Sequence, residues 1–210
     1  MGRRDRGIDE DGMNGLNIRL LVGMTLRNPA QAARAILDVD YPLGVRWALA
    51  VLVVSLAAIL ASLTAALVTV PVDGEPRPYG WIVDQPLILA GLQMAAVVLS
   101  AGLMAGVGRM FGGDGTFEDA LILVVWIEAV LLLVQLAQIV LLPIMPGLGA
   151  LLGLAAAGMF FYLTVQFTKV LHGFRSGFKV FLGMVAAMFA FAFLLSFVAA
   201  AFGLLPEVPA

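Results

Sequence analysis

Apolar positions along this chain do not alternate with polar ones; they run together in long blocks. Residues 47–70 are interrupted only by Ser55, Ser62, Thr64 and Thr69, and residues 86–110 hold no charge before Arg109. Residues 117–142 carry one ionisable group beyond their first turn, Glu128, while residues 148–168 and 181–205 carry none. Each block exceeds the roughly 20 residues that an α-helix needs to cross the hydrocarbon core of a bilayer. The patterning predicts an all-α fold, a polytopic transmembrane helix bundle of five spans over residues 45–205. The first span lies too far from the N-terminus, and is too long, to read as a cleaved signal peptide.

The N-terminal part is patterned differently. Residues 1–15 are polar and glycine-bearing, an expected disordered tail. Residues 16–44 form an amphipathic segment broken at Asn28-Pro29, with Asn28 as N-cap, Pro29 at the first helical position and Gln31 completing a capping box. In the helix that follows, Ala33, Ile36 and Leu37 fall on one side, and Gln31, Arg34 and Asp38 on another. It reads either as a helix lying along lipid headgroups or as one packed on the bundle.

Composition fits a bilayer: 62% of the 210 residues are hydrophobic and 12% charged, against roughly a quarter charged in soluble domains. The charge has a direction. Arg3, Arg4, Arg6, Arg19, Arg27, Arg34, Arg46, Arg109, Lys169, Arg175 and Lys179 fall on the side of the N-terminus, and Arg77 alone on the other. The positive-inside rule then places the N-terminus in the cytoplasm, and five spans place the C-terminus outside. The loop over 71–85, the turn over 143–147 and the final tail are the outer segments. Tyr79 and Trp81 suit an outer interfacial belt, Tyr41 and Trp47 an inner one. Arg outnumbers Lys ten to two and Ala is abundant, which points to a GC-rich bacterial genome and an inner-membrane location.

Two inner turns share a pattern at a spacing of 60 residues. Arg109-Met-Phe-Gly-Gly113-Asp-Gly-Thr116 aligns with Lys169-Val-Leu-His-Gly173-Phe-Arg-Ser176. In each, a basic residue closes one span, glycine (Gly113, Gly173) turns the chain, and a hydroxyl (Thr116, Ser176) caps the next span. Asp119 stands at the capping-box position after Thr116, where carboxylates also favour a helix N-terminus. Small-residue spacings, Gly102-x-x-x-Gly106 and Gly149-x-x-x-Gly153-x-x-x-Ala157, offer faces for close helix contact within the bundle, with other membrane proteins or between copies of the chain. The fourth-span run is the stronger of the two.

Candidate chemistry is sparse. With no cysteine there is no disulfide, thiolate nucleophile or Cys-based metal site. His172, the one histidine, sits in a basic turn and suits a turn role. No ligand-spaced His/Asp/Glu cluster suggests a metal, and the glycine-rich 108–116 stretch lacks the P-loop lysine, so neither cofactor nor nucleic-acid partner is expected. Phe111-Gly-Gly-Asp114 and Phe174-Arg-Ser-Gly177 each lack the first glycine of an intramembrane-protease motif, and catalysis is not expected. Within the spans the polar residues are Gln93, Ser100, Glu128, Gln135, Gln138 and Gln166. At helical pitch Glu128 and Gln135 lie within about 20° of each other and Gln138 about 60° further round, one stripe that should face the bundle. With no cation expected at its depth, Glu128 should be uncharged and donate a hydrogen bond to Gln93, Ser100 or Gln166.

Three strings, Thr25-Leu-Arg-Asn-Pro29, Gly113-Asp-Gly-Thr-Phe117-Glu-Asp-Ala-Leu121 and His172-Gly-Phe-Arg-Ser-Gly-Phe-Lys179, together with five spans after a charged N-terminus, resemble the Yip1 family. The resemblance runs from about Leu16 to Gly203 and implies a non-enzymatic membrane scaffold or adaptor. Eukaryotic members of that family interact with Rab GTPases. Here Asp38-Val-Asp-Tyr-Pro42 departs from the family's Asp-Leu-Tyr-Gly-Pro string. Val125-Trp126 and Val130 stand where Gly-Tyr and a later Pro are expected, so no Rab partner is inferred. The competing expectation is a small transporter or lipid-handling protein built around Glu128.

Overall fold

A computed structural model describes residues 18–68 and 85–201. The expected tail over 1–15, Tyr79 and Trp81 in the outer loop, and the ends of the first and last spans lie outside the described residues. Seven α-helices follow one another among them: α1 (Ile18–Arg27), α2 (Pro29–Leu37), α3 (Leu43–Val68), α4 (Pro86–Met110), α5 (Phe117–Ile144), α6 (Pro146–Leu171) and α7 (Gly177–Ala201). The last five are long and apolar enough to cross a membrane. The short links α4–α5 and α6–α7, together with the bond between Arg46 and Asp119, bring the start of α3, the end of α4, the start of α5, the end of α6 and the start of α7 to one end. That end carries Arg46, Arg109, Lys169, Arg175 and Lys179, and we call it the basic end.

The span α5 is the hub. It packs against α3, α4 and α6, and half of its most apolar window is buried by protein, against 6% for α7. Its consecutive buried residues Ala120 to Val125 meet neighbours on every side. Among the described residues the final span α7 packs mainly against α6, with a smaller contact to α4, and turns Phe189, Phe193 and Phe197 outward. In a bilayer that surface meets acyl chains and carries no penalty of exposure.

The N-terminal helices pack on the bundle. Ala32, Ala33 and Ile36 of α2 are buried, and Gln31 and Arg34 exposed; α6 and α5 cover the apolar side. Packing on protein, the second of the two readings for this segment, is the arrangement observed. The capping box is half-formed: Asn28 Oδ1 accepts the Gln31 N–H at 3.2 Å. The reciprocal bond is missing because α1 ends at once before Asn28, whose N–H closes that helix on Met24 O at 2.7 Å. Link α2–α3 turns through Asp40, which has a φ of 47°, a left-handed conformation that Asp tolerates better than most residues.

At the opposite end the turn is tighter than expected. Helix α5 runs on through Pro143 to Ile144, and α6 begins at Pro146. Proline cannot donate, yet the Met145 N–H reaches Leu141 O at 2.7 Å and closes the last turn across it. The hydroxyls of Thr64, Thr164 and Thr168 are satisfied within their own helices by the carbonyl four residues back, each at 2.7 Å.

The glycine spacings divide. A side chain at Gly149 would strike Leu142, and one at Gly153 would meet Gln138 Nε2 at 2.9 Å, so α6 approaches α5 closely there. Around Gly102 and Gly106 nothing lies within 4 Å of the added carbon. That pattern on α4 marks no close contact among the described residues. Equal spacing in sequence says which residues share a face, and only the packing decides whether a neighbour comes to it.

Candidate functional site

Among the described residues, side-chain hydrogen bonds tie several helices together at the basic end. Arg46, in the first turn of α3, is only 4% exposed. Its Nε donates to Tyr41 O at 2.7 Å, Nη1 to Asp119 Oδ1 at 2.7 Å and Nη2 to Asp40 Oδ1 at 3.3 Å. A cation at a helix N-terminus opposes the backbone dipole, so the two carboxylates and the carbonyl are what hold it there. Asp119 is shared. Its Oδ2 accepts the Thr116 hydroxyl at 2.7 Å, and its own N–H donates to Thr116 Oγ1 at 3.1 Å. Thr116 therefore caps α5 as the sequence suggested, and the carboxylate on which it closes also holds α3.

A second tie runs through His172, at the C-terminus of α6 and 6% exposed. Its Nδ1 accepts the Gly115 N–H at 3.0 Å, which places the ring proton on Nε2. Nε2 then donates to Met104 O of α4 at 2.9 Å. Phe174 stacks on the ring at a centroid distance of 5.4 Å. Gly108, Gly113 and Gly115 form the seat: a side-chain carbon added at any of them would fall onto the imidazole. Gly108 matters twice, because its missing side chain also opens a path to the Met104 carbonyl.

The two inner turns are similar, but not in the register read from the sequence. Gly112 has a φ of 84° and Gly173 a φ of 66°. Gly113 N–H bonds Gly108 O at 3.0 Å and Gly112 N–H bonds Arg109 O at 3.0 Å; Phe174 N–H bonds Lys169 O at 2.9 Å and Gly173 N–H bonds Val170 O at 3.2 Å. Both are glycine-terminated helix ends of the same type. The turning glycines, 112 and 173, are 61 apart, whereas the capping residues Thr116 and Ser176 are 60 apart. The first link is one residue longer. The extra residue lets Gly113, which the sequence offered as the partner of Gly173, lie against His172 instead. Ser176 Oγ accepts the Lys179 N–H at 3.4 Å, a longer and weaker cap than that of Thr116.

A third tie joins α1 to α5. The Trp126 indole N–H donates to Thr25 Oγ1 at 2.9 Å, and the fully buried Thr25 hydroxyl donates to Leu21 O at 2.8 Å. Trp126 is one of the positions where the chain departs from the resembled pattern, and here it fastens the N-terminal helix.

The intramembrane polar residues do not converge. Gln135 and Gln138 line a cavity of about 420 Å³ with Thr64 in the half away from the basic end, and Gln138 Nε2 donates to Gly149 O at 3.1 Å. Glu128, half-buried, makes no hydrogen bond among the described residues, which corrects the expected bond to Gln93, Ser100 or Gln166. Leu131 and Gln135, further along its stripe, face Thr64 of α3 and Phe160 of α6. Gln93 and Ser100 stand on α4. Gln166 lies much nearer the basic end, five residues before the end of α6. Gln93 Oε1 is buried without a partner among the described residues.

Five membrane-length helices, one of them a hub packed against three of the others, define a polytopic α-helical membrane protein. The chain belongs to the Yip1 family, whose domain model, the Yip1 domain, matches residues 24–203. No curated protein and no solved structure matches it at a significant level. Sequence reasoning missed Arg46 and the seating of His172. An arginine three residues into a long apolar helix was the available signal for the first, and four glycines within residues 108–115, three of them the seat, for the second.

Proposed function

We propose that this chain is a non-enzymatic scaffold or adaptor of a bacterial inner membrane, with its basic end in the cytoplasm and its C-terminus outside. One observation carries the reading. The buried polar groups of the basic end spend their bonds inside the chain, Arg46 on Asp119 and His172 on Gly115 and Met104, so they brace a platform and leave its exposed surface for recognition. That the family is not known for catalysis supports the same view. Exposed Arg27 and Arg34, on the N-terminal helices docked to the bundle, contribute cations to this surface.

Orientation is tested with a reporter active only outside the cytoplasm. Fused after Ala210 or within residues 71–84 it should be active, and after Arg109 or Lys169 silent. Activity at Lys169 would overturn the five-span orientation.

Scaffold and transporter part at Glu128. Among the described residues the carboxyl makes no bond that a substitution could break. Both Glu128→Gln and Glu128→Leu should therefore leave bundle stability within about 0.6 kcal/mol of the parent, the average worth of an interhelical hydrogen bond in a membrane. Reconstituted in liposomes, the parent should conduct no more solute or proton than Glu128→Gln. A photo-crosslinker at Arg27 or Arg34 should capture the same protein from cells carrying either form. Flux that vanishes in a stable Glu128→Gln protein would refute the scaffold.

A further inference from the structure

At the basic end α7 stands off from α4 and α6, and the gap between them is a groove. Its first section, about 310 Å³, is bordered by Phe174, Arg175, Ser176 and Lys179 and floored by Met104 and Val107. A second section of about 240 Å³ shares Leu103, Met104, Val107, Thr164 and Met184 with the first and continues inward to Phe191. No carboxylate lines either section. Arg175 and Lys179 are exposed, and neither makes an ion pair among the described residues.

From Ser176 to Phe191 the groove follows α7 for about 22 Å at helical rise. Half of a bilayer, headgroups included, is about 20–22 Å deep. The groove thus has the depth of one leaflet, two cations at the level of the headgroups and an apolar channel beneath them. We propose that it is a binding site for an anionic phospholipid of the leaflet at the basic end. Arg175 and Lys179 hold the phosphate, and one acyl chain lies between α4 and α7 against Met184. The charge at the mouth and the apolar length below it select a single occupant. A zwitterionic lipid brings no net charge to the cations, a free phosphate has nothing for the channel, and an apolar transmembrane partner helix brings no anion to the mouth. Unlike the scaffold reading, this site makes no demand on a protein partner, and the two can fail separately.

Native mass spectrometry of the purified full chain in detergent tests this with phosphatidylglycerol and phosphatidylcholine of identical acyl chains. The parent should retain phosphatidylglycerol preferentially. Arg175→Gln and Lys179→Gln should each lower that retention about fivefold, the worth of one cation at an anionic membrane surface, without changing retention of phosphatidylcholine. Met184→Trp, which fills the channel and keeps both cations, should lower phosphatidylglycerol retention as well, with the thermal midpoint of the protein in lipid-free detergent verifying its fold. Glycerol phosphate at equal concentration should not displace the lipid. Retention unchanged in the Arg175→Gln/Lys179→Gln double variant would overturn the headgroup contact. Retention unchanged in a folded Met184→Trp, or full displacement by glycerol phosphate, would overturn the acyl channel.

Discussion

Arg46→Ala should lower the stability of the detergent-solubilised chain by about 2–3 kcal/mol, more than any exposed arginine. Hydrogen bonds to a charged group contribute about 1.5–3 kcal/mol, and Arg46 makes one to Asp119 at 2.7 Å and one through its own charge to Tyr41 O at 2.7 Å. Breaking a fully buried ion pair costs about 3–5 kcal/mol because it strands the partner. Asp119, with a side chain 34% exposed, recovers some hydration, and Asp40, at 94%, recovers nearly all of it. The expected loss therefore lies below that range. Arg46→Lys should fall between, since one ammonium cannot reproduce a planar fork aimed at three acceptors. Asp119→Ala should weaken the same joint and also leave the Thr116 hydroxyl without its acceptor, while the cap bond donated by the backbone N–H of residue 119 stays. Thermal midpoints of the two single variants and the double variant form a cycle. A double-variant penalty well short of the sum of the singles is expected, because the shared bond can be lost only once. Strict additivity would show that the pair holds nothing together.

The same joint marks the boundary of what was legible in the sequence. Spans were legible because a bilayer demands about 20 apolar residues in a row, a signal that one chain states by itself. Caps were legible for a similar reason: Thr116 and Asp119 are three residues apart. Arg46 and Asp119 are separated by 73 positions, and His172 and Gly115 by 57. Nothing local in either segment announces the other. Glu128 illustrates a subtler limit. Helical pitch puts it on a stripe with Gln135, but angles around one helix do not say which neighbour the stripe faces, and among the described residues no hydrogen bond joins it to the partners offered on α4. The three strings that carried the family resemblance turn out to hold these ties between them. Thr25 takes the indole of Trp126; Gly113, Gly115 and Asp119 belong to the second string; His172 belongs to the third. They are short and unspecific as motifs because each supplies only one side of a contact made in space.

Glycines on α4 offer the sharpest test of the His172 seat, because two of them should respond with opposite signs. Ala is a better helix residue than Gly by about 0.8–1.0 kcal/mol. Gly106→Ala, with nothing within 4 Å of the new carbon, should therefore leave stability unchanged or raise it by up to about that amount. Gly108 lies two residues on in the same helix, and its new carbon would fall onto the imidazole of His172. The ring cannot swing away cheaply, for it is held at Nδ1 by Gly115 and at Nε2 by Met104 O. Overpacking costs about 1–3 kcal/mol, and each hydrogen bond broken by a displaced ring adds about 0.5–1.5 kcal/mol. Together these exceed the helix gain, and Gly108→Ala should destabilise by about 2 kcal/mol. His172→Ala alone should also destabilise, since it removes both bonds and leaves the seat unfilled. In the His172→Ala background, however, the methyl at position 108 enters space the ring has left. There Gly108→Ala should become neutral or stabilising, like its neighbour. Thermal midpoints of the Gly106→Ala, Gly108→Ala, His172→Ala and Gly108→Ala/His172→Ala proteins decide the matter. If Gly108→Ala is equally harmful with and without the histidine, the glycines are not a seat for His172, and the tie between α4 and α6 must be sought elsewhere.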